Sequence, residues 1–480
     1  MKIKKWLGSA VAVAMLSTSL LAMPSEAAKK EDEQPRTIQD ESIYDLLIDR
    51  YFNQLKSNDF EVDSTNPESF AGGDFVGLQN KFNYVYDMGF SMLSIGAIFS
   101  TEKYDGSMPT SHTTLERHFG TQEELDELIK AYKKYDITIM ADFPLSQASK
   151  NHEWANNQDW ILSEENGVIQ WDLTNKDVQK ALQEAAVAFV KQNDFAGLRL
   201  TYLGNAPTDF QNDLMQAIKK EKDIYVIANG ESEADYDATF SLETADIYRG
   251  AFRNVNESME KLPQTVEGDK PSQLMIDRFD TSRFTFDSEE TNMYPITRIR
   301  MALGALLTLP GVPVIQYGTE IAMNGEKEPY THGIMNFSVD DELQKSIRNT
   351  LQLRNESPTL RHGDAKLIKS EDGLLVFTKE SEDEKWVIFV NNTDKTQTVE
   401  FTTEELGEGK ELKGLFERDL VREKDGVYRL VLNREIVEVY QVIDDEGFNV
   451  PYAVALSIVY IAFISFVVIV IRRSKRNKVK

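Results

Sequence analysis

One short segment, Gly197-Leu198-Arg199-Leu200-Thr201, has the pattern of a buried strand that ends in polar side chains. It follows an amphipathic stretch at 177–192 and a short turn, which is the helix-then-strand order of βαβ architectures. We expect the carboxyl end of this strand to carry a functional residue into a cleft. The chemistry there depends on Thr201, because a threonine hydroxyl becomes a nucleophile only when a neighbouring base activates it.

Other residue types restrict the chemistry further. The chain has no cysteine, which excludes thiolate catalysis and a disulfide framework. None of its five histidines lies in a nucleophile-base arrangement or a His-x-x-x-His spacing, so we interpret them as surface or packing residues.

Both ends of the chain carry targeting features. Basic residues precede an apolar run and the small residues around Ala27, so 1–27 is predicted to be a secretory signal peptide. Residues 452–471 form an uncharged stretch long enough to cross about 30 Å of hydrocarbon as a helix. Six cations follow in 472–480, which the positive-inside rule places in the cytoplasm. We therefore expect a single-pass cell-membrane protein with an extracellular body; a buried core helix is disfavoured because no charge interrupts the run.

The formal net charge of the chain is −26, although both ends are basic. A body with this much negative charge excludes nucleic acid as a partner of the ectodomain. The charge is compatible with neutral ligands or with cations, and it can also serve only to keep the protein soluble. Contact with the membrane is expected through the C-terminal helix alone.

Short apolar strands alternate with amphipathic helices between the two ends. The predicted strands lie at 42–48, 91–95, 137–143, 197–200, 224–228, 273–276 and 312–317. The predicted helices lie at 76–88, 121–135 with Thr121 as N-cap, 177–192, 210–220, 294–309 and 341–354. About eight such units favour a closed (β/α)8 TIM barrel over an open doubly wound sheet.

The rhythm changes after Pro358. Four predicted antiparallel strands, at 373–378, 385–391, 397–401 and 435–442, indicate a C-terminal all-β sandwich. The predicted domains are the barrel (28–361) with a short excursion after its third strand (144–174), the sandwich (362–445) and the transmembrane helix (452–471).

The ends of the barrel strands carry a series of short motifs. They are Gly72-Gly73-Asp74-Phe75, His118-Phe119-Gly120-Thr121, Asp142-Phe143, Gly197-x-Arg199, Gly230-Glu231, Asp280-x-x-Arg283-Phe284 and Tyr317-Gly318-Thr319-Glu320. In order and spacing this series resembles the α-amylase family, glycoside hydrolase family 13, over about 42–442. The C-terminal helix resembles that of membrane-anchored secreted bacterial amylases.

The resemblance implies a site at the carboxyl ends of the barrel strands. The family hydrolyses or transfers α-glucosidic bonds with retention, which needs a carboxylate nucleophile and a carboxylic acid about 5 to 5.5 Å apart. It implies Glu231 as the general acid, Asp280 as the carboxylate that stabilises the distorted ring, and Arg199, Asp142 and Tyr104 as substrate-binding residues.

The sequence departs from the family where chemistry is most demanding. Thr201 stands where the family has its nucleophilic aspartate, and covalent retention therefore looks unavailable. Two sugar-binding histidines are replaced at Gln147 and Phe279, and a sugar-stacking tyrosine is replaced by Ser107.

The remaining carboxylates also allow non-catalytic interpretations. Glu231 lies in a polar run and can be an ordinary exposed acid. Asp280 can be a buried acid paired with Arg199 or Arg283, since ion pairing perturbs a carboxylate without implying catalysis.

Three tryptophans of the excursion, Trp154, Trp160 and Trp171, also allow two interpretations. They could stack on sugar rings above the cleft, or form the small core of a reduced domain. We favour the core, because apolar side chains are mostly buried.

The resemblance bears on metal as well. Ser146 and Asn205 occupy the positions that hold calcium between barrel and excursion in the family, so that site is predicted to be lost. An N-terminal loop resembles a second, structural Ca²⁺ site, with Leu55 replacing one expected ligand. The oxygen-bearing residues implied for it are Asn53, Asn58, Asp59, Gly72 through its carbonyl group, and Asp74.

These observations lead to one main hypothesis and one alternative. The main hypothesis is a cell-surface member of the family that has lost hydrolytic competence and binds an α-glucan or other glycan, or an envelope protein. The alternative is an active extracellular α-glucan hydrolase or transferase that uses Glu231 and Asp280.

Overall fold

The computed structural model describes residues 36–266, 270–339, 342–445, 447 and 450–477. Its strands are β1 (Ile43–Asp45), β2 (Met92–Ser94), β3 (Thr138–Pro144), β4 (Gln147–Ser149), β5 (Ile161–Glu165), β6 (Val168–Trp171), β7 (Gly197–Thr201), β8 (Tyr225–Ala228), β9 (Gln273–Leu274), β10 (Val312–Gln316), β11 (Asp364–Glu371), β12 (Leu374–Glu380), β13 (Lys385–Asn391), β14 (Gln397–Thr402), β15 (Lys410–Gly414), β16 (Leu420–Arg422), β17 (Val427–Leu432) and β18 (Ile436–Asp444).

The α-helices are α1 (Ile48–Tyr51), α2 (Phe75–Asn80), α3 (Phe82–Met88), α4 (Gln122–Lys133), α5 (Lys176–Gln192), α6 (Thr208–Glu221), α7 (Leu242–Phe252), α8 (Phe284–Glu290), α9 (Pro295–Leu306), α10 (Glu342–Glu356), α11 (Pro358–His362), α12 (Thr403–Leu406) and α13 (Val450–Asn477). Short 3-10 helices lie at Ile38–Asp40, Gln158–Trp160, Pro263–Val266 and Thr319–Ile321. The predicted signal peptide at 1–27 lies outside the described residues.

A parallel barrel forms the larger part of the fold. Seven of its strands follow one another in the order β8, β7, β3, β2, β1, β10, β9. Two isolated parallel bridges, Ile227 with Ala238 and Thr239 with Ser272, connect β8 to β9 through a short eighth segment and so close the ring. The predicted (β/α)8 barrel is confirmed, and its sixth member in chain order, at 238–239, is too short to show a strand pattern in the sequence.

The alternation of side chains along the strands decides what reaches the mouth of the barrel. The barrel interior holds an apolar cluster that includes Ile43, Met92 and Met140. Because side chains two residues apart lie on the same face of a strand, Asp45 and Asp142 follow on this inner face at the carboxyl ends. The barrel therefore has an apolar floor and a charged mouth.

The helix α4 shows how the sequence sets the outer layer. Thr121 caps it as predicted, with a capping box in which Thr121 bonds the Glu124 backbone N–H and the Glu124 side chain bonds the Thr121 N–H. Its apolar face is buried through Leu125, Leu128, Ile129 and Tyr132. This burial is what fixes the helix against the barrel.

The excursion after β3 is a small three-stranded sheet in the order β4, β6, β5. Trp171 is fully buried, and Trp154 packs against Trp160 with ring centroids 6.0 Å apart. Trp154 also stacks on His112 at 5.1 Å. The prediction that these tryptophans form a small core is confirmed.

The C-terminal domain consists of a six-stranded sheet in the order β11, β12, β13, β18, β15, β16 and a two-stranded sheet of β14 and β17. Val387 and Phe389 face the core between the two sheets. Trp386 and Ile388, on the opposite face of β13, belong to the large core that includes the barrel. The predicted all-β domain is confirmed, and it packs on the barrel through an apolar face.

The helix α13 contains the predicted membrane segment. Val454–Ser474 is long and apolar enough to cross a bilayer, with a mean hydropathy of 3.0. No part of that segment is buried within the protein. These properties agree with the expected anchor.

Candidate functional site

A cavity of about 340 Å³ opens at the carboxyl ends of the barrel strands. Its lining is rich in charged side chains and includes six carboxylates and two arginines. The charged residues are Asp45, Asp105, Asp142, Arg199, Glu231, Arg278, Asp280 and Glu328. Seven predicted site residues or positions meet here: Thr201, Arg199, Asp142, Glu231, Asp280, the replaced histidine position Phe279 and the replaced tyrosine position Ser107.

Arg199 is the electrostatic centre of the cavity floor. Its Nε and Nη2 donate to the carboxylate of Asp142 at 2.7 and 2.9 Å, and Nη1 and Nη2 donate to Asp45 at 2.8 and 2.9 Å. All three side chains are almost fully buried, so the ion pairs are poorly screened by solvent. Burial raises the pKa of Asp142, the charge of Arg199 lowers it, and that of Asp45 raises it again. The arginine is thus a counter-ion for two acids.

Thr201 ends β7 and lines the same cavity. Its carbonyl oxygen accepts from the Leu145 N–H at 2.9 Å, which fixes the strand end beside the start of the excursion. The side chain at the nucleophile position is therefore in place, but it brings a neutral hydroxyl where the family chemistry needs a carboxylate.

Glu231 lies in the lining on an exposed loop. One of its carboxylate oxygens accepts from Ser241 Oγ at 2.7 Å, and Ser241 is also the N-cap of α7. The general acid of a glycosidase needs a raised pKa, which in lysozyme comes from a hydrophobic pocket. The surroundings of Glu231 are polar and open.

Asp280 is also exposed, with a side chain that is 60% accessible. It pairs with Arg278 at 2.6 Å, and the Arg278 guanidinium lies over the Phe240 ring at 4.4 Å. The expectation that Asp280 is a buried acid paired with Arg199 or Arg283 is therefore wrong. Arg199 already pairs with Asp45 and Asp142. Asp280 lies on an exposed loop, where Arg278 is its partner.

Arg283 lies in the interior instead. It donates to the carbonyl oxygens of Thr331 and Tyr317 at 2.8 and 3.0 Å and lies 3.8 Å from Asp277. Asp277 in turn accepts from the Phe284 N–H and from Thr319 Oγ1. This network holds both ends of the loop that carries Arg278, Phe279 and Asp280.

Tyr104 was expected to contact substrate, but the structure does not bring it to the cavity lining. Its ring is buried beneath the Arg50 guanidinium at 3.6 Å, and its hydroxyl bonds His332 Nδ1 at 2.9 Å. The ring is only 3% exposed and its hydroxyl is engaged, so neither is available to a ligand. Tyr104 can act only by positioning His332.

His332 is a lining residue that the sequence did not reveal. Its Nε2 lies 2.7 Å from the Phe279 carbonyl oxygen, which can only accept, so Nε2 carries the proton and Nδ1 accepts from Tyr104. Burial lowers the pKa of His332 to about 4, so the ring is neutral at pH 7. His332 is a packing residue, as we interpret all five histidines, and it also lines the cavity, which the sequence does not indicate.

Asp45, Asp105, Tyr202 and Glu328 are further lining residues missed from the sequence. Asp45 ends a barrel strand, and that position could have identified it. The other three lie in loops, where spacing carries no signal. Tyr202 has φ +50°, a left-handed conformation that is uncommon for an aromatic residue.

The predicted N-terminal calcium site fits the structure in part. The Oδ1 atoms of Asn53 and Asn58 are buried without a hydrogen-bond partner, and Gly72 is packed so closely that a Cβ would lie 2.6 Å from Asp59 Oδ1. Both oxygens of Asp74, in contrast, accept backbone N–H groups, one of them as the N-cap of α2. Asn53, Asn58 and Asp59 offer side-chain oxygens of the kind that Ca²⁺ prefers, and calcium binding here stays a prediction, whereas Asp74 acts as a helix cap.

Ser146 and Asn205 make direct protein contacts at the other family calcium position. Ser146 Oγ donates to Gln170 at 2.9 Å. Asn205 accepts from the Leu173 N–H at 3.0 Å and donates to Asp172 at 3.2 Å. Hydrogen bonds therefore tie the barrel to the excursion where the family uses a metal ion.

Comparison with known proteins gives the family. The alpha amylase catalytic domain model matches residues 47–173, and the alpha-amylase C-terminal domain model matches 363–440. The first match ends before Thr201, so it does not bear on the nucleophile position.

Among curated proteins, the chain is 25% identical to a beta/alpha-amylase of Paenibacillus polymyxa over 450 residues, spanning 83% of this chain and 38% of that protein. It is 24% identical to a maltogenic alpha-amylase of Bacillus acidopullulyticus, spanning 75% of this chain and 71% of that protein.

Two solved structures resemble the whole body of the chain. An Anoxybacillus α-amylase is 32% identical with a TM-score of 0.82, and the likeness covers 86% of this chain and 100% of that one. The α-amylase of Geobacillus thermoleovorans in complex with acarbose is 30% identical with a TM-score of 0.80, covering 85% and 100%. The chain belongs to the α-amylase family, glycoside hydrolase family 13.

Proposed function

We propose that this protein is a membrane-anchored, extracellular member of the α-amylase family that binds a saccharide in the barrel cavity without hydrolysing it. The observation that carries this proposal is Thr201 at the end of β7, within the cavity lining. A retaining reaction needs a carboxylate at the nucleophile position, and the two buried carboxylates of the cavity floor, Asp45 and Asp142, are both held by Arg199.

The cavity itself supports a binding role. It combines carboxylates with arginine, histidine and aromatic side chains, which suit polar ligands with many hydroxyl groups. The related amylase of Geobacillus thermoleovorans forms a complex with acarbose, a saccharide analogue. Anchoring is supported by the length and hydropathy of Val454–Ser474 and by the cations that follow it.

Hydrolysis by Glu231 and Asp280 is the competing function, because both acids line the cavity. An inverting mechanism would use one as acid and the other as base, about 6.5 to 9.5 Å apart with water between them. The exposure of both side chains and the pairing of Asp280 with Arg278 argue against this use.

The test uses the full-length protein in detergent, with Glu231→Gln as the matched variant. Calorimetric titration with maltopentaose should show binding by both proteins, and neither should release reducing sugar. Turnover by the native chain above that of Glu231→Gln would exclude the non-hydrolytic proposal. Absence of binding to any saccharide, together with an envelope protein crosslinked to this chain on intact cells, would replace it with a protein-binding role.

A further inference from the structure

The aromatic ring of Tyr202 lies among the carboxylates of the cavity. It is 41% exposed and lines the cavity together with Asp105, Asp142, Asp280 and Glu328. Partial desolvation of the phenol inside the cavity, followed by the charges of these same four acids, raises the pKa of Tyr202, so the phenol stays neutral. A neutral, electron-rich ring is thus presented to the cavity within the field of several negative charges.

The backbone of Tyr202 is held by hydrogen bonds to the excursion. Tyr202 directly follows Thr201, and its carbonyl oxygen accepts from the Ser146 N–H at 2.9 Å. The adjoining Thr201 carbonyl accepts from Leu145 at 2.9 Å. The excursion therefore holds the main chain of Tyr202 at both neighbouring carbonyl groups.

Asp105 supplies a second and independent feature. Its side chain is only 10% exposed, and Oδ1 accepts from the Ser107 N–H and Oγ at 2.9 and 2.6 Å. Its other oxygen has Lys103 Nζ at 3.6 Å, beyond hydrogen-bonding distance. The Lys103 ammonium group is the one cation paired with this oxygen among the described residues, so Oδ2 can still accept a hydrogen bond from a ligand or from water.

The charges around Tyr202 are not balanced by the protein. Arg199 neutralises one of its two acids, and Arg278 pairs with Asp280. Lys103 lies 3.6 Å from Asp105 and 3.8 Å from Glu328, so one ammonium group serves two carboxylates at long range. Glu231 has only the hydroxyl of Ser241. The cavity therefore retains a negative charge of about three beside an aromatic face.

We propose that the ligand of this cavity is a saccharide that carries a primary ammonium group, which lies over the Tyr202 ring and donates to Asp105 and Glu328. An ammonium group matches both features at once, because it is attracted to a tyrosine face and offers three N–H donors to carboxylates. A neutral glucosyl unit offers hydroxyl donors but no charge. The inference rests on the proposed binding function and names the chemical class of its ligand.

The experiment compares three saccharides of equal length on the full-length protein in detergent. They are the glucosamine trimer, its fully N-acetylated form and maltotriose, titrated calorimetrically at about pH 6 and about 150 mM NaCl, so that amines are protonated and weak surface attraction is screened. The acetylated trimer is the matched control, because it keeps the sugar and removes the charge. We expect the glucosamine trimer to bind about tenfold or more tightly than either neutral trimer.

The variants locate the site. Tyr202→Leu should weaken binding of the glucosamine trimer about tenfold, whereas Tyr202→Phe, which keeps the ring, should retain it. Asp105→Asn should weaken it to a similar extent. Tyr135→Leu, at an exposed tyrosine outside the cavity lining, should have no effect. Circular dichroism of each variant confirms that the fold is retained.

The outcomes separate this inference from the proposed function. If maltotriose binds as tightly as the glucosamine trimer, or if Tyr202→Leu binds the amine unchanged, the inference is wrong while saccharide binding stands. If no trimer binds, both proposals fail. Binding of trilysine but not of the glucosamine trimer would also overturn the inference, because it would point to a basic protein segment as the ligand.

Discussion

Arg199 on β7 and Asp45 on β1 form a bidentate ion pair across the barrel, with N–O distances of 2.8 and 2.9 Å. Their positions are 154 residues apart in the chain, and the pair holds a buried carboxylate in the same cavity lining as Thr201. Arg199 bonds Asp142 as well, so its charge is fully engaged before any ligand arrives.

The substitution Thr201→Asp alone should not restore hydrolysis. The new carboxylate would join Asp45 and Asp142 around one arginine that already has four hydrogen bonds, and the cavity would still lack the residues replaced by Gln147, Phe279 and Ser107. Reducing-sugar release from maltopentaose should stay at the level of the native chain. An increase of about tenfold or more in the rate of reducing-sugar release would show that the nucleophilic carboxylate was the one catalytic group missing from the site.

Removal of the arginine should destabilise the barrel strongly. Arg199→Met leaves two buried carboxylates without a counter-ion, and we expect a loss of about 3 to 5 kcal/mol in the free energy of unfolding. The loss should be smaller at about pH 5 than at about pH 7, because protonation relieves unpaired carboxylates. Urea denaturation measures both, and Arg199→Lys, which keeps one charge, should lie between. An effect below about 1 kcal/mol would mean that the cluster is solvated.

Lys379 gives the contact between the barrel and the C-terminal domain a defined pH dependence. It is fully buried on β12, donates to the Leu360 carbonyl at 2.5 Å and faces the cation Arg354. Burial, with a contribution from Arg354, lowers its pKa to about 7, against about 10.4 in an unfolded chain. The unfolded chain therefore binds more protons between about pH 7 and 10.4, and the contribution of Lys379 to stability rises with pH across that window.

The variant Lys379→Met should lose that rise. Unfolding free energies at several pH values in the window, compared with those of the native chain, measure the difference in slope. Lys413→Met, at an exposed lysine on β15, is the matched control and should keep the native slope. Equal slopes for Lys379→Met and the native chain would contradict the buried, neutral state of Lys379.

Two packed histidines should make the excursion sensitive to acid. His112 Nδ1 lies 2.9 Å from His152 Nε2, and burial lowers their pKa values to about 4 and about 3. An unfolded histidine has a pKa of about 6.5, so protonation below that value favours unfolding. Stability should be complete above about pH 6.5 and fall towards pH 4. Thermal melting of His152→Gln should show a smaller fall, and an equal fall would assign acid sensitivity to other groups.

Calcium should act through the N-terminal loop alone. If Asn53, Asn58, Asp59 and Gly72 hold Ca²⁺, addition of about 1 mM Ca²⁺ after chelation should raise the melting temperature of the native chain. Asp59→Ala should abolish this rise, whereas Asn205→Ala should keep it, because Asn205 bonds protein atoms in the structure. A rise lost in Asn205→Ala would restore the family calcium site between barrel and excursion.

Much of the fold could be predicted because local patterns determine it. The predicted strand at 385–391 coincides with β13, and Thr121 caps α4 through a local capping box. Two elements were not predicted from the sequence. The sixth barrel strand, at 238–239, consists of only two bridges, and the helix α7 has no clear apolar periodicity. Side-chain partners across the barrel were not predictable in the same way. The pairing of Asp280 with Arg278, and the approach of Asp45 to Arg199, depend on loop paths and barrel closure that sequence spacing does not contain.

Proton NMR of maltopentaose incubated with the full-length protein tests the central claim most directly. Newly formed anomeric signals report both turnover and its stereochemistry. We predict no new anomeric signal over a day at a protein concentration at which calorimetry shows binding. A first-formed α-anomer would contradict the account by showing retention despite Thr201, and a first-formed β-anomer would contradict it by showing an inverting reaction.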